Sequence, residues 1–361
     1  MKIVVTGTRG IPNILGGIET ICEELFTRIA ALDYDVTVIR RKKYVPSKLD
    51  EYKGIHLIDI DAPDSKSLET IIHTFKAICI AKRLKADIVS IQAIGPALLT
   101  PFAKMLGMKV VVTHHGFDYD RDKWNKIAKA FLKLGERMAC RYADTVISTS
   151  DVIDKFVKQQ YNCTKSVVIY NGIPVPNFTN DTSYMNDLGV EPKKYIFAMG
   201  RFVPEKNFHQ LINVFADNFS KDYKLVLAGD ADFEDDYSRE LKQQAKENGV
   251  ILTGFIKGER LQMLLTHARL FVLPSSHEGL PMTLLESMGY NLPIIASNIP
   301  ANKNLGLPSE CYFQVNDEKS MAQKLRKVLS SEVYERHYST EKFNWDRIAE
   351  QTAAVYEKII N

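Results

Sequence analysis

Short apolar runs rich in β-branched residues alternate along this chain with longer stretches of helical spacing. In the first half the runs are Ile3-Val4-Val5, then residues 35–40 (DVTVIR), 54–61 (GIHLIDID), 86–92 (ADIVSIQ), 109–115 (KVVVTHH), 144–150 (DTVISTS) and 166–172 (SVVIYNG). Each suits a strand buried on both faces, and helical patterns lie between most of them. Such units build a parallel sheet with helices on either side. Residues 173–194 (IPVPNFTNDTSYMNDLGVEPKK) break the rhythm with Pro, Asn and Gly and predict a linker. The alternation resumes at 194–200 (KYIFAMG), 223–230 (YKLVLAGD), 249–255 (GVILTGF), 269–275 (RLFVLPS) and 292–298 (LPIIASN). The expectation is therefore α/β, with doubly wound domains at 1–172 and 173–344 and ligands bound where the carboxyl ends of their strands meet. Segment 345–361 is a helix with Trp345, Ile348, Ala349, Thr352, Val355, Tyr356 and Ile359 on one side, a stripe that needs a surface to dock on.

Composition narrows the classes. With 361 residues, 45% hydrophobic and 25% charged, the chain can fill two cores and carries no disordered or fibrous bias. The opening lacks the apolar core of a secretory signal, and the apolar stretch from Ile71 is broken by Lys76, short of the roughly 18 residues that cross a bilayer. A cytoplasmic location is expected. Cys22, Cys79, Cys140, Cys163 and Cys311 are scattered, odd in number and never in CxxC spacing, so neither a disulfide framework nor a zinc site is implied. A net charge of +3 marks no nucleic-acid partner. Positive charge gathers at RRKK (40–43) and at 121–141, where Lys123, Lys126, Lys129, Lys133, Arg137 and Arg141 recur at helical spacing beside Trp124 and Phe131. A basic amphipathic helix of this kind can rest on an anionic membrane. A packed helix with a solvated basic face explains the spacing equally well.

Three motifs carry candidate chemistry. The opening reads strand, glycine-rich loop, helix, yet Asn13 stands where a dinucleotide fingerprint needs its third glycine. Arg40-Arg41 ends the second strand where a ribose-binding carboxylate belongs, so NAD binding is disfavoured. What remains is Gly16-Gly17 before a helix, which lets backbone approach a ligand and aims amides at negative charge. In GRFVPEKN (200–207), Arg201 and Lys206 can converge on one anion, or are simply solvated loop cations. In SSHEGLPMTLLES (275–287), Pro281 suits the first helical turn and leaves the amides of Met282 and Thr283 as free donors for a phosphate. Glu286 on that helix can accept from the paired hydroxyls of a ribose, and Glu278 in the loop from a second polar group such as a sugar. As a lone pair, both also read as surface glutamates.

Taken together, GRFVPEK, HEGLPMTLLES and the closing FNWDRIAEQTAAVYEKI resemble the retaining GT-B glycosyltransferases of glycosyltransferase family four, over nearly the whole chain. TRGIPNILGGIET and VVTHHGFDYDRDKW look like the subgroup that builds bacterial capsule, exopolysaccharide and lipopolysaccharide. The resemblance implies two Rossmann-like domains facing a central cleft, the first for the acceptor and the second for the nucleotide-sugar, with the closing helix crossing back to the first. It implies that Arg201 and Lys206 hold the donor diphosphate with Gly16, Gly17, Leu280, Met282 and Thr283. Glu286 would take the ribose, Glu278 the transferred sugar and Ile256 the base. His115 would stand beside the reacting carbon, with His114 the weaker candidate. The implied reaction moves a hexosyl group from a nucleoside-diphosphate sugar to a hydroxyl of a glycan acceptor, lipid-linked at the inner face of the membrane. Similar enzymes retain configuration by front-face attack in which the leaving phosphate takes the acceptor proton, so His115 orients rather than attacks. No cofactor and no metal are expected. Asp118 and Asp120 have DxD spacing but follow THHG in the first domain, and read as acceptor-side or loop residues. The alternatives are a sugar-nucleotide 2-epimerase of the same architecture, a non-catalytic nucleotide-sugar-binding module and, if NAD binds after all, an oxidoreductase.

Overall fold

The computed structural model describes residues 1–14, 16–45, 48–63, 68–120, 125–231 and 234–361. The chain forms two compact units, one of Met1–Gly172 with Glu341–Asn361 and one of Ile173–Thr340.

The first unit holds β1 (Lys2–Thr6), β2 (Asp35–Arg41), β3 (Glu51–Tyr52), β4 (Ile55–Ile60), β5 (Ile88–Gln92), β6 (Lys109–His114), β7 (Thr145–Ser148) and β8 (Ser166–Val168). Their order is β3-β4-β2-β1-β5-β6-β7-β8, and all neighbours are parallel except β3 against β4. Alternate residues serve opposite cores. Ile3, Val5, Val36, Val38 and Val111 pack on one face of the sheet, while Val4, Ile39, Val89, Val110 and Val112 pack on the other. This two-sided burial is why the strands read as continuous apolar runs. Strand order reverses beside β1, where β2 lies on one side and β5 on the other, so the loops after β1 and β5 diverge and open a crevice. Thr6 pairs with Ile91 and Gln92 with Thr113, which sets the ends of β1, β5 and β6 along one edge.

The closing helix, Trp345–Ile360, belongs to this unit. Its Trp345, Ile348, Ala349 and Tyr356 enter the core that contains Ile3 and Val5. Each large side chain so buried contributes roughly 1.5–3 kcal/mol. Asn344 caps the helix by accepting from the amides of Asp346 and Arg347 at 2.9 and 3.1 Å. Arg28 pairs with Asp346 at 2.8 Å, and the Tyr34 hydroxyl donates to Glu357 at 2.6 Å. Phe343, just before the cap, is already buried here beside Tyr170, with ring centroids 5.4 Å apart.

The second unit holds β9 (Tyr195–Met199), β10 (Lys224–Ala228), β11 (Ile251–Leu252), β12 (Leu270–Leu273), β13 (Ile294–Ser297) and β14 (Tyr312–Phe313), all parallel in the order β11-β10-β9-β12-β13-β14. Here the reversal falls between β9 and β12, which pair through Ile196 with Leu270 and Phe197 with Phe271. The stretch expected to be a plain linker contains a short helix, Ser183–Leu188, closed by Gly189 in the left-handed region at φ 65. Asn177 fastens the same stretch by donating its amide to the Tyr290 hydroxyl at 3.2 Å. Each unit is a doubly wound parallel-sheet domain.

Candidate functional site

The pairing of β9 with β12 brings two loops together that are far apart in sequence. The loop after β9 carries Arg201 and Lys206, and the loop after β12 carries Glu278. The Ser276 amide donates to the Glu205 carbonyl at 2.8 Å. Asn207, in the left-handed region at φ 52, donates its side-chain amide to the Pro274 carbonyl at 3.1 Å and to Asn316 at 2.9 Å. Lys206 Nζ meets Glu278 Oε1 at 2.5 Å, with only 13% and 10% of the two side chains exposed. Lys206 and Glu278, assigned from sequence to different parts of one ligand, thus neutralise each other in this structure. Arg201 is partly buried at the head of the same loop.

Pro281 occupies the cap of the helix Met282–Gly289 rather than its first turn, a correction of one position. Its carbonyl accepts from the amides of Leu284 and Leu285 at 3.0 and 3.1 Å. The amides of Met282 and Thr283 have no acceptor among the described residues, and the buried Thr283 hydroxyl is also without a partner. Glu286 lies one turn on from Met282, on the same face. It is partly buried, and burial pushes its carboxyl up to about 7. Leu280 is buried behind this helix start. Ile256 stands apart, in the loop after β11, two strands or about 10 Å along the sheet from β9.

In the first unit the glycine-rich loop is tied to a residue that motif reading passed over. Glu19, in the first turn of the helix Gly17–Ala31, is buried and accepts from the Thr8 hydroxyl at 3.2 Å and the Arg9 amide at 3.0 Å. Gly16 sits over that carboxylate at φ 146, and a Cβ there would lie 1.9 Å from Glu19 Oε2. Gly17 begins the helix, with open space where its Cβ would be. The signal for Glu19 was an acidic residue in the first turn of a helix that starts with Gly-Gly. Gly7 allows an equally close approach, since its Cβ would meet the Gln92 carbonyl at 2.3 Å.

His114 and His115 have separate environments. His114 Nε2 lies 2.6 Å from Glu136, a fully buried carboxylate that also accepts from the hydroxyls of Tyr119 and Tyr161, so His114 is part of a core network. His115 Nε2 lies 2.9 Å from Gln92 Oε1, and burial, with His114 beside it, pushes the ring down to about 3. It is neutral at ordinary pH. Asp118 lies in the short turn after THHG; the side chain of Asp120, together with Lys123 and Trp124, falls outside the described residues. Among the described residues no group of three or more His, Cys, Asp or Glu is placed to hold a metal ion.

The first basic cluster is largely neutralised. Arg40 is buried, pairs with Asp59 at 2.6 Å across β2 and β4, and holds the Ile11 carbonyl of the glycine-rich loop at 3.2 Å. Arg41 and Lys43 share Glu69 at 3.2 and 2.7 Å, and Lys42 meets Asp61 at 3.1 Å. The second cluster differs. On the helix Lys126–Tyr142, Ile127, Phe131 and Leu134 are 70%, 49% and 42% exposed, beside exposed Lys126, Lys133, Arg137 and Arg141.

Residues 181–345 match the family model described as Glycosyl transferases group 1. Residues 1–173 match a domain of unknown function, DUF1972. The UDP-Gal:alpha-D-GlcNAc-diphosphoundecaprenol alpha-1,3-galactosyltransferase of Escherichia coli is 28% identical over 310 residues, covering 82% of this chain and 75% of that one. A sucrose-phosphate synthase from Thermosynechococcus elongatus, 19% identical, superposes with a TM-score of 0.85 over 99% of this chain and 98% of its own. Anabaena HepE in complex with UDP-glucose, 19% identical, does so at 0.76 with the same coverage. The shared fold is GT-B, two Rossmann-like domains, and the matches support a GT-B glycosyltransferase with glycosyl transfer as its general role. Arg201, Lys206, Glu278 and Glu286 all fall within the group 1 match, whereas Gly16, Gly17 and His115 fall within the other. No described helix is long and apolar enough to cross a membrane.

Proposed function

We propose that this chain is a retaining, metal-independent hexosyltransferase that moves a sugar from a nucleoside diphosphate to a hydroxyl of a lipid-linked glycan. The observation that carries the reading is the convergence, at the strand reversal of the second unit, of Arg201, the Lys206–Glu278 pair, the unpartnered amides of Met282 and Thr283, and Glu286. A nucleoside-diphosphate sugar offers a complementary partner to each of these groups. Its diphosphate takes the two amides, Arg201 and Lys206, which combine a helix N-terminus with two cations. Its ribose diol donates to Glu286, and its sugar hydroxyls donate to Glu278 once Lys206 turns to phosphate. Leu280 packs behind the diphosphate and Ile256 is assigned to the base.

In the reaction the bond from the sugar C1 to the β-phosphate oxygen breaks and its electron pair stays on that oxygen. The acceptor hydroxyl attacks C1 from the same face and passes its proton to the departing phosphate. Stabilising that leaving group is the main catalytic task, and cations and amides already turned to the diphosphate in the bound complex perform it. In the first unit the imidazole of His115 is neutral, so it can offer a hydrogen bond but no charge. No cofactor is required.

The Escherichia coli relative acts, by its name, on a diphosphoundecaprenol-linked sugar. The exposed Ile127, Phe131 and Leu134, flanked by basic side chains, suit the cytoplasmic face of an anionic membrane where such an acceptor would lie. The deciding experiment supplies UDP-, GDP- and dTDP-sugars with lipid-linked acceptors in the presence of EDTA and follows products by NMR. A product with the donor's anomeric configuration is expected. A 2-epimer formed without acceptor would make the protein an epimerase, and binding without consumption a non-catalytic module.

A further inference from the structure

His115 ends a chain of hydrogen bonds that starts on the closing helix. The hydroxyl of Tyr356, a residue 1% exposed, lies 3.1 Å from Ser90 Oγ. Gln92 Nε2 donates to the same Ser90 oxygen at 3.0 Å, and Gln92 Oε1 lies 2.9 Å from His115 Nε2. Ser90 and Gln92 stand two residues apart on β5 and therefore on one face of the sheet, and Gln92 pairs with Thr113 on β6, so the strands set these spacings. The contact at Gly7 adds to this by bringing the loop after β1 against the Gln92 backbone.

The direction of the bonds follows from what each group can offer. Gln92 has turned its NH2 to Ser90, so only its carbonyl oxygen faces the imidazole. An acceptor at that point needs the proton on His115 Nε2. The other ring nitrogen, Nδ1, is buried and has no partner among the described residues. A proton there would be a stranded donor, and would also leave two acceptors facing each other at Nε2. Both constraints select one tautomer, since the bond made by one nitrogen decides the state of the other.

We infer that Gln92, held by Ser90 and Tyr356, is a positioning residue that fixes His115 as the Nε2–H tautomer and presents Nδ1 as a bare acceptor. The closing helix thereby sets the state of a ring in the other half of its unit. The role in turnover rests on the reading of His115 as a site residue; the tautomer does not.

The test is ¹⁵N-histidine NMR of the full chain, with His115→Ala to assign the signal, beside steady-state kinetics. Wild type and Gln92→Glu, which keeps an oxygen acceptor, should show the proton on Nε2. Gln92→Met, close in shape but with no acceptor of that kind, should shift it toward Nδ1 and lower kcat on the order of tenfold with donor KM nearly unchanged, and Gln92→Glu should recover most of that loss. Tyr356→Phe should move the signal the same way by less. A proton on Nδ1 in wild type, or an unaltered tautomer in Gln92→Met, overturns the relay. A shifted tautomer with full turnover, together with an active His115→Ala chain, overturns the site reading and the catalytic consequence given to Gln92.

Discussion

Replacing Glu286 by Gln should stabilise the donor-free protein while weakening donor binding, and pH separates the two effects. Burial raises this carboxyl from 4.5 to about 7. Each unit of such a shift is worth about 1.4 kcal/mol between protonation states. Because the folded value lies above the unfolded one, the folded chain holds the proton more tightly, and stability falls as pH rises from 4.5 through 7. Linkage puts the penalty at about 1 kcal/mol at pH 5 and about 3 kcal/mol at pH 8. Glutamine has the shape without the charge and removes it. For a domain the size of the second unit, 3 kcal/mol is a rise in Tm of roughly 6–12 °C. Scanning calorimetry of wild type and Glu286→Gln at both pH values reads this directly. The variant should unfold at clearly higher temperature at pH 8 and only slightly higher at pH 5, and lose donor affinity on the order of tenfold or more. An equal gap at both pH values, or a variant less stable at pH 8, would refute the reasoning.

Other substitutions probe the remaining parts. Lys206→Met strands the Glu278 carboxylate and should cost roughly 3–5 kcal/mol, read by denaturant unfolding; adding Glu278→Gln should restore most of the stability but not the donor affinity. Gly16→Ala drives a methyl into the Glu19 carboxylate at a positive φ, and should lower both Tm and kcat. Donor affinity of the wild type should rise as pH increases through about 7, with Glu286 ionising, and that increment should be absent from Glu286→Gln titrations. Ile127→Ser with Phe131→Ser should reduce sedimentation with anionic vesicles and leave Tm nearly unchanged, because both side chains are exposed; undiminished vesicle binding would remove the membrane face.

The strands of both units were legible because burial on both faces writes them as unbroken apolar runs, whereas Glu51-Tyr52 and Tyr312-Phe313 are too short to show a period. The closing helix was legible for the same reason, its stripe being one continuous buried face. The order of strands was not. Nothing within GRFVPEKN or SSHEGLPM states that β9 and β12 are neighbours, and without that neighbourhood the Lys206–Glu278 pair has no cause. Charge counting also misled at RRKK, because the carboxylates that neutralise it come from β4, from Asp61 just beyond it, and from Glu69 on a later helix. Gln92 carries no motif at all. Its place emerges only from the pairing of β5 with β6 and from a tyrosine at the far end of the chain.

The central claim is that the loops after β9 and β12 bind a nucleoside diphosphate. It is tested most directly by calorimetric titration of the full chain, without added metal, against UDP, GDP, dTDP and NAD, repeated with Arg201→Ala. The account predicts that one nucleoside diphosphate binds and that the variant loses most of that affinity. Binding of NAD alone, or nucleotide affinity untouched by the loss of Arg201, would contradict it.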